Sequence, residues 1–421
     1  MKVYKFGGAS VNSIDRIQNV GDIIENLENE KILIVISAMG KTTNALEKVA
    51  EQFFAGKQEE SLKLFEFIKQ SHLSTLNNLI TINWKEATEH LKNFFTEIEW
   101  LLHDKPVKEY DYYYDQIVCI GELLSTSIIS DYLTERKIKN AWIDVRDIFR
   151  TDDNFRDATV DLNFATKMVH ENLLPLFEKN NLVITQGFIG STDENESTTL
   201  GREGSDYSAA LFANILNADD LTIWKDVKGI MNADPKHFPE ATYIEALGFS
   251  EVIEMAYYGA QVIHPKTIKP LQNKNIPLHV KCFLDKSLPG TLISNAITHN
   301  LPPIIVIKEK QVLIKLSTKD FSFIGDHSIS SIYEIFLYLK MHANLTQNGA
   351  INFLACLDDQ VEKIERLALA TSEFFDVQLE RDLTLLSIRH YTPEIILKLT
   401  EDKEVILEQK TPATIQVLMR K

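Results

Sequence analysis

A lysine, two glycines and a serine near the start of the chain are the first residues whose types and spacing could do chemistry. Val3 to Phe6 predict a short buried strand, and Gly7 and Gly8 allow the tight turn that follows it. A helix is predicted directly after the turn, so backbone N–H groups and the charge of Lys5 would converge on one point, which suits an anion such as phosphate. The spacing is neither the Walker pattern nor G-x-G-x-x-G, so an ordinary glycine turn with a surface lysine fits equally well. The stretch reads Lys5-Phe6-Gly7-Gly8-Ala9-Ser10.

Two further polar loops follow predicted strands or open predicted helices. The loop from Ser37 to Thr43 follows the apolar strand Ile32 to Ile36, and the loop from Gly201 to Ser208 runs into a helix. The order strand, helix, strand predicts a parallel sheet, in which the carboxyl ends of the strands share one edge. Converging there, these loops would suit a nucleoside triphosphate beside a smaller substrate, and Asp206 and Asp226 could hold Mg²⁺ directly or through water.

Length and charge limit the classes of protein to consider. A chain of 421 residues with 44% hydrophobic and 25% charged residues is typical of a globular protein of two or three domains. The formal net charge of −16 argues against a nucleic-acid or anionic-membrane partner. The chain starts in a predicted strand and has no apolar run of bilayer length, so a cytoplasmic location is expected. Cys119, Cys282 and Cys356 are far apart, which favours reduced core thiols over disulfides or a zinc site.

The rest of the sequence predicts helices around this sheet and then a second region of shorter strands and helices. Residues 45–103 have a helical period, Val160 to Lys179 are mostly helical, and the polar loop from Ser191 to Thr199 is expected to be mobile. Pro289-Gly290 and Pro302-Pro303 mark the expected domain boundary, beyond which short β, α and β units predict a tandem of ferredoxin-like modules. The predicted domains are residues 1–295, 304–380 and 381–421, the last a shortened module.

Six motifs together resemble the aspartate kinases, in which they occur in the same order. The match spans residues 1 to about 290 and implies the amino-acid-kinase fold, an α/β class with a mostly parallel sheet sandwiched by helices. The remainder resembles that family's regulatory ACT modules, of the α+β, ferredoxin-like class, on pattern and position more than on motif. The motifs are Lys5-Phe6-Gly7-Gly8-Ala9-Ser10, Gly121-Glu122-Leu123-Leu124-Ser125, Arg150-Thr151-Asp152-Asp153-Asn154-Phe155, Thr185-Gln186-Gly187-Phe188-Ile189-Gly190, Thr199-Leu200-Gly201-Arg202-Glu203-Gly204-Ser205-Asp206-Tyr207 and Asp226-Val227-Lys228-Gly229.

The resemblance implies phosphorylation of the β-carboxylate of L-aspartate by MgATP, giving 4-phospho-L-aspartate, the entry to lysine, threonine and methionine synthesis. A carboxylate nucleophile is already ionised at neutral pH, so no general base is required and none of the eleven histidines has to be catalytic. Lys5 matches the family's catalytic lysine and would neutralise charge on the transferring phosphoryl group, with Asp206 as the second catalytic residue.

The matching positions divide between the acid substrate and the nucleotide. Arg202 would clamp an aspartate carboxylate through a bidentate contact, and Glu122 would orient Lys5 or meet the substrate's ammonium group. The positions implied for the acid are Thr43, Glu122, Phe188, Arg202, Ser205 and Asp206. Those implied for the nucleotide are Lys5, Gly7, Gly8, Ser10, Ser37, Lys225, Asp226, Met231 and Lys236, with Mg²⁺ at Asp206 and Asp226.

The departures from the family pattern lie mostly on the nucleotide side. Threonine is common where Ala9 stands, and glycine is frequent where Glu203 stands in the loop from Gly201 to Ser208, called the arginine loop below. The changes at Met231, Lys236 and Gln261 would remove or soften adenine and phosphate contacts, although Lys225 and Lys228 could supply charge from elsewhere. The substitutions on this side are Lys225 for threonine, Met231 for an aromatic residue, Lys236 for arginine and Gln261 for lysine.

The ACT-like tail implies a homodimer or a higher homo-oligomer formed by pairing sheets edge to edge. It also implies binding of an end-product amino acid, lysine or threonine. Asp326, Ser328 and Ile329, at a predicted helix start, would offer this effector an ammonium contact and N–H groups. Two alternatives stay open at this point: a sister amino-acid kinase for another acid, and a catalytically weak homologue that senses amino acids.

Overall fold

The chain forms two compact units, and the computed structural model describes residues 1–25, 27, 30–260, 263–296 and 300–420, without the side chains of Asp326 and His327. Each unit is assembled from separate parts of the chain. The first unit comprises Met1–Ile230, Tyr243–Ile253 and Ile263–Thr298. The second comprises Met231–Thr242, Glu254–Val262 and His299–Lys421.

Strands and helices alternate through most of the first unit, and strands predominate in the second. The strands are β1 (Lys2–Phe6), β2 (Ile32–Ile36), β3 (Asn140–Trp142), β4 (Leu182–Gln186), β5 (Ile189–Ser191), β6 (Ser197–Thr199), β7 (Leu221–Lys225), β8 (Ala246–Gly248), β9 (Leu278–Cys282), β10 (Thr291–Ser294), β11 (Ile304–Thr318), β12 (Ala343–Asn348), β13 (Asn352–Asp358), β14 (Phe375–Arg389), β15 (Glu404–Lys410) and β16 (Thr414–Arg420). The α-helices are α1 (Ile14–Glu25), α2 (Thr42–Phe54), α3 (Gln58–Leu79), α4 (Trp84–His103), α5 (Tyr110–Val118), α6 (Ile120–Glu135), α7 (Leu162–Met168), α8 (Gly204–Leu216), α9 (Phe249–Tyr257), α10 (Pro265–Asn273), α11 (Asp326–Tyr338), α12 (Val361–Thr371) and α13 (Pro393–Thr400).

The first unit is built on an eight-stranded sheet in the order β3-β4-β2-β1-β7-β9-β10-β8. The central strand β1 pairs in parallel with β2 on one side and with β7 on the other, and only the β9–β10 pair is antiparallel. Every residue of β2 and β4 is buried, as expected for parallel strands covered on both faces by helices. The predicted α/β class with a mostly parallel sheet is therefore confirmed, and the polar ends of β1, β2 and β7 lie side by side.

The helical period of residues 45–103 is present as α2, α3 and α4. Their apolar faces pack into the same core as the sheet, where Phe53, Phe65 and Phe95 are almost completely buried. The Phe65 and Phe95 rings meet edge to face with their centroids 6.2 Å apart. Phe53, Phe65 and Phe95 thus belong to the hydrophobic core, whereas Phe67 and Trp100 of the same segment are exposed.

Two predictions for the first unit need correction. The loop from Ser191 to Thr199 is not an open polar loop, because β5 and β6 form an antiparallel pair and Thr198 and Thr199 are fully buried. Their polar groups are satisfied by partners distant in the sequence, which the local pattern does not show.

The predicted helix from Val160 to Lys179 keeps α-helical geometry only in α7. A π-helical turn and a 3-10 turn follow, and Pro175, which lacks a backbone donor, lies at the start of the latter.

The second unit contains one six-stranded antiparallel sheet in the order β12-β13-β11-β14-β16-β15. The long strands β11 and β14 serve a core beside α11 and α12 and a core beside α13: their Gln311–Thr318 and Phe375–Leu383 halves pair at the first, and their Ile304–Lys308 and Leu385–Arg389 halves pair at the second. Leu313, Leu383 and Leu385 of these strands belong to a third cluster. The second core also contains Phe238 from the earlier segment. The position 380/381, where the two modules were predicted to divide, falls inside β14, since one strand serves both cores.

Candidate active site

A cavity of about 610 Å³ opens in the first unit at the carboxyl ends of β1, β2 and β7. It gathers residues from the three loops that the sequence predicts to converge, together with α6 and the start of α8. Thirteen of the fifteen predicted site residues line it. They are Lys5, Gly7, Gly8, Ser10, Ser37, Thr43, Glu122, Phe188, Arg202, Ser205, Asp206, Lys225 and Asp226.

Two lysines and one aspartate form the charged centre of this cavity. Lys5 Nζ lies 2.5 Å from Asp206 Oδ1, and Lys225 Nζ lies 3.7 Å from Asp206 Oδ2. The Asp206 side chain is only 5% exposed. Burial by itself would raise the pKa of Asp206, but the charges of Lys5 and Lys225 outweigh burial and hold that pKa below its ordinary value. The carboxylate is therefore ionised and holds both ammonium groups at the sheet edge.

The loops after β1 and β2 approach each other so closely that glycine is required at their crossing. The Gly40 N–H donates to the Gly8 carbonyl at 3.0 Å. A Cβ on Gly8 would lie 2.7 Å from the Ala38 carbonyl oxygen, a backbone atom that cannot swing away. This close approach fixes the turn that carries Gly7 and Ser10 beside Lys5.

The arginine loop enters α8 through backbone conformations that favour glycine. Gly201 has φ +74°, and Glu203, which stands where the family frequently has glycine, has φ +55°. The Glu203 carboxylate accepts the backbone N–H of His264 at 2.9 Å, which ties the loop to the residue that caps α10. The family's preference for glycine at this place thus has a conformational reason, and here a side-chain hydrogen bond accompanies the left-handed geometry.

Glu122 is a carboxyl group buried in the cavity wall on α6. One oxygen, Oε1, accepts the backbone N–H of Ala38 at 3.2 Å, while Oε2 has no hydrogen-bond partner among the described residues. Burial raises the pKa of Glu122 to about 8, although the Ala38 hydrogen bond and the charge of Lys5 oppose the rise. No ion pair joins Glu122 to Lys5 in the described structure, so Oε2 is left for a ligand group.

The cavity is also lined by residues that the site prediction missed. Tyr114, Arg156 and Thr199 line the cavity. The Arg156 guanidinium carbon lies 4.3 Å from the centroid of the Tyr114 ring. Behind them, the buried Asp115 accepts hydrogen bonds from both Arg156 and Thr199. Thr199 stands in a recognised motif, but nothing in the local sequence signals the contribution of Arg156 or Asp115.

Two predicted nucleotide residues, Met231 and Lys236, are not among the residues that line the cavity. Met231 and Lys236 belong to the second unit, whereas every residue that lines the cavity belongs to the first. Gln261 lies outside the described residues. Asp226 reaches the cavity from the loop directly after β7 and is exposed.

A metal ion would find few protein ligands here. The described residues contain no group of three or more histidine, cysteine, aspartate or glutamate side chains placed to hold a metal. Mg²⁺ bound with a nucleotide needs only one or two carboxylates, because phosphate oxygens and waters complete its shell. The exposed Asp226 fits that donor set, while the Asp206 carboxylate already meets two lysines.

One stretch of the described chain, Tyr110–Glu135, is long and apolar enough to cross a membrane. The 18-residue window that gives this result is 83% buried within the fold. Its apolar side chains therefore form core, and the same stretch carries the buried Asp115 and Glu122.

Sequence comparisons relate the chain to one enzyme family. The amino acid kinase family model matches residues 1–282. The lysine-sensitive aspartokinase 3 of Escherichia coli (strain K12) is 35% identical over 343 residues, which are 81% of this chain and 74% of the relative. The chloroplastic aspartokinase 2 of Arabidopsis thaliana is 31% identical over 392 residues, 87% of this chain and 71% of the relative.

Solved structures agree over the full length of the fold. The E. coli aspartokinase III complex with aspartate and ADP, in the R-state, aligns with a TM-score of 0.82 at 28% identity and covers 100% of this chain and 96% of that one. The T-state complex of the same enzyme with lysine and aspartate aligns with a TM-score of 0.81 at 28% identity, covering 99% and 95%.

Proposed function

Because the chain belongs to the amino acid kinase family and, within it, to the aspartokinases, we propose that it transfers the γ-phosphoryl group of ATP to the β-carboxylate of L-aspartate. The product is 4-phospho-L-aspartate, the entry to lysine, threonine and methionine synthesis. The single observation that carries the proposal is the cluster of Lys5, Asp206 and Lys225 at the common edge of β1, β7 and the start of α8.

This cluster supplies what phosphoryl transfer requires, which is positioning and charge neutralisation. The Lys5 ammonium group, held at 2.5 Å by Asp206, would neutralise the negative charge that spreads over the transferring group. The glycine turn brings backbone N–H groups to the same point, and the N-terminal end of α8 favours negative charge there. The electrostatic potential at this point is thus positive, although the formal net charge of the protein is −16.

The acid would be held on the other side of this cluster. Arg202 is exposed at the cavity and can clamp one substrate carboxylate with two parallel hydrogen bonds. Glu122 Oε2, which lacks a partner among the described residues, can accept a hydrogen bond from the substrate's ammonium group. The acceptor carboxylate then needs no base, because it is ionised at neutral pH.

Mg²⁺ bound with ATP would neutralise phosphate charge and orient the γ-phosphoryl group. Asp226 is the carboxylate we assign to it, directly or through water. Asp206 remains a second candidate ligand, although its pairing with two lysines makes it the less available of the two.

The direct test traps the acyl phosphate with hydroxylamine. Protein supplied with MgATP and L-aspartate should give the hydroxamate, and glutamate or N-acetylglutamate in place of aspartate should not. Hydroxamate formed only with another acid would indicate a sister kinase. The absence of product with every acid, together with tight lysine or threonine binding, would indicate a sensing homologue.

We also propose that lysine inhibits the enzyme through the second unit, since the relative of E. coli is named as lysine-sensitive and its T-state structure contains lysine. Helix α11 starts at Asp326, so its first turn contains the residues expected to meet the effector, Asp326, Ser328 and Ile329, although the Asp326 side chain lies outside the described structure. Titration of activity with lysine and, separately, with threonine decides this point; a flat curve for both amino acids would contradict it.

The assembly and location that we propose are a cytoplasmic homodimer or higher homo-oligomer. The edge strands β12 and β15 of the second sheet offer the backbone groups for edge-to-edge pairing of two chains. Light scattering of the purified protein should give at least twice the chain mass of 48.1 kDa. A monomer at assay concentration would contradict the proposal.

A further inference from the structure

Asp115 is a buried carboxylate that the phosphoryl-transfer chemistry does not use. It lies on α5 and has no exposed surface. Its Oδ2 accepts the backbone N–H of Arg156 at 2.9 Å and that of Thr199 at 2.8 Å, while its Oδ1 accepts the Thr199 hydroxyl at 2.7 Å. Burial raises the pKa of Asp115 to about 7, although these hydrogen bonds and the Arg156 charge oppose the rise. Burying an ionisable group here lowers the free energy of unfolding, so a function must explain its presence.

The three bonds join segments that are far apart in the sequence. Arg156 belongs to the polar segment after Arg150, and Thr199 ends β6, three residues before Arg202. The two segments are also bonded to each other, because the Ala158 N–H donates to the Thr199 carbonyl at 2.9 Å. One carboxylate thus fixes the wall of the cavity and the start of the arginine loop together.

Arg156 brings a second guanidinium to this wall. Its backbone has φ +70°, a conformation in which a non-glycine residue is strained, and the bond to Asp115 holds it there. The side chain packs over the Tyr114 ring and reaches Asp111 at 3.1 Å. Its other acidic neighbour is Glu47 at 3.8 Å, and the Glu47 and Asp111 side chains are 35% and 58% exposed. Such solvent-exposed ion pairs are weak, so an acidic ligand that enters the cavity can compete for the guanidinium.

We propose that Asp115 is a positioning residue for the acid substrate: it holds Arg156 and Thr199 in place, and the Arg156 guanidinium held in this way raises the affinity for aspartate. This inference rests on the proposed aspartokinase function. The backbone groups that Asp115 holds belong to Arg156 and to Thr199, which leads into the loop that carries Arg202, so the effect should fall on aspartate and not on ATP.

Steady-state kinetics of Asp115→Ala and Asp115→Asn test the proposal. Alanine leaves two buried N–H groups without their acceptor, so KM for aspartate should rise about tenfold while KM for ATP changes less than about twofold. Asparagine can still accept both N–H groups on its carbonyl oxygen and donate to the Thr199 hydroxyl, so it should restore KM for aspartate to within about threefold of wild type. Asp131→Ala, at a largely buried acid on α6 that faces His90, is the matched control and should leave both KM values unchanged.

The variant Arg156→Gly removes the guanidinium but keeps the backbone conformation. It therefore tests the proposal even if Asp115→Ala does not fold. Glycine suits φ +70°, so the melting temperature should not fall, yet KM for aspartate should rise about threefold or more as the charge is lost. Equal rises in both KM values for Asp115→Ala, no rescue by asparagine, or an unchanged KM for aspartate in Arg156→Gly would each overturn the proposal. Failure of wild type to form aspartyl phosphate would overturn the proposed function as well, whereas active wild type with unaltered variants would overturn this inference alone.

Discussion

The buried residues assigned to the acid and the outer residues assigned to the nucleotide, here called the acid side and the nucleotide side, differ in how firmly the fold holds them. On the acid side, Glu122 and Asp206 are nearly inaccessible and Thr199 is fully buried, each within the first unit. On the nucleotide side, Asp226 is exposed, and Met231 and Lys236 belong to the second unit. The departures from the family pattern fall mostly on this second group.

The difference has a physical reason. A buried polar group that loses a hydrogen-bond partner lowers the free energy of unfolding. Substitutions of Asp206, Thr199 and Glu122 are therefore expected to destabilise the protein. An exposed side chain that meets only a ligand and solvent can be exchanged at small cost to the fold. We therefore expect substitutions on the acid side to impair chemistry and stability together, and those on the nucleotide side to change nucleotide affinity alone.

The largest effect is expected for Lys5→Ala. It removes the charge that would meet the transferring phosphoryl group, and loss of such a contact lowers kcat by about 100- to 1000-fold. Lys2→Ala is the matched control, because Lys2 lies on the same strand but pairs with the surface residue Glu30 at 2.6 Å. The measurement is hydroxamate formation at saturating substrates; undiminished turnover in a folded Lys5→Ala protein would exclude the assigned role.

Glu122→Gln should show the cost of burying a carboxyl group on the acid side. The folded-state pKa of about 8 lies above the ordinary value of 4.5, so the folded protein holds an extra proton between these values. The stability that Glu122 contributes is therefore complete below the ordinary value and is lost as the pH rises through about 8. Glutamine keeps an acceptor for the Ala38 N–H and does not titrate. Melting temperatures from pH 6 to pH 9 should fall more steeply for wild type than for the variant, and parallel curves would contradict the pKa shift.

Asp226→Asn should produce a smaller effect, confined to the nucleotide. Loss of one carboxylate from an Mg²⁺ site completed by phosphate and water is expected to raise KM for MgATP about tenfold and to increase the Mg²⁺ concentration needed for half-maximal activity. KM for aspartate and the melting temperature should stay close to wild type, because Asp226 is exposed. An equal rise in KM for aspartate would remove the distinction between the two sides.

The smallest effect is expected for Lys236→Ala. Lys236 is exposed and is not among the residues that line the cavity, so its removal should change KM for MgATP by less than about twofold and leave stability unaltered. A larger rise in KM for MgATP would show that this lysine serves the nucleotide although it is absent from the lining of the cavity. The comparison of Asp226→Asn with Lys236→Ala thus measures how far the nucleotide side extends.

Local sequence sufficed for the elements that form the charged centre. The apolar run before Gly7 predicts a buried strand, and the small residues after Leu200 predict a turn into a helix; both are present as β1 and α8. Convergence of the loops also follows from sequence, because a parallel sheet places the ends of its strands at one edge. Lys5 and Asp206 could therefore be assigned to one site before any contact between them was known.

Only the tertiary structure decided which residues support that centre. Thr199 is buried, not part of a mobile loop, because its partners Asp115 and Ala158 lie 84 and 41 positions away in the chain. The second unit takes residues 231–242 because Phe238 packs into the core beside α13. Such hydrogen bonds and contacts depend on the path of the whole chain, and neither periodicity nor a motif encodes them locally. The sequence by itself determined the strand, the turn and the lysine, whereas the fold determined what holds the acid side rigid.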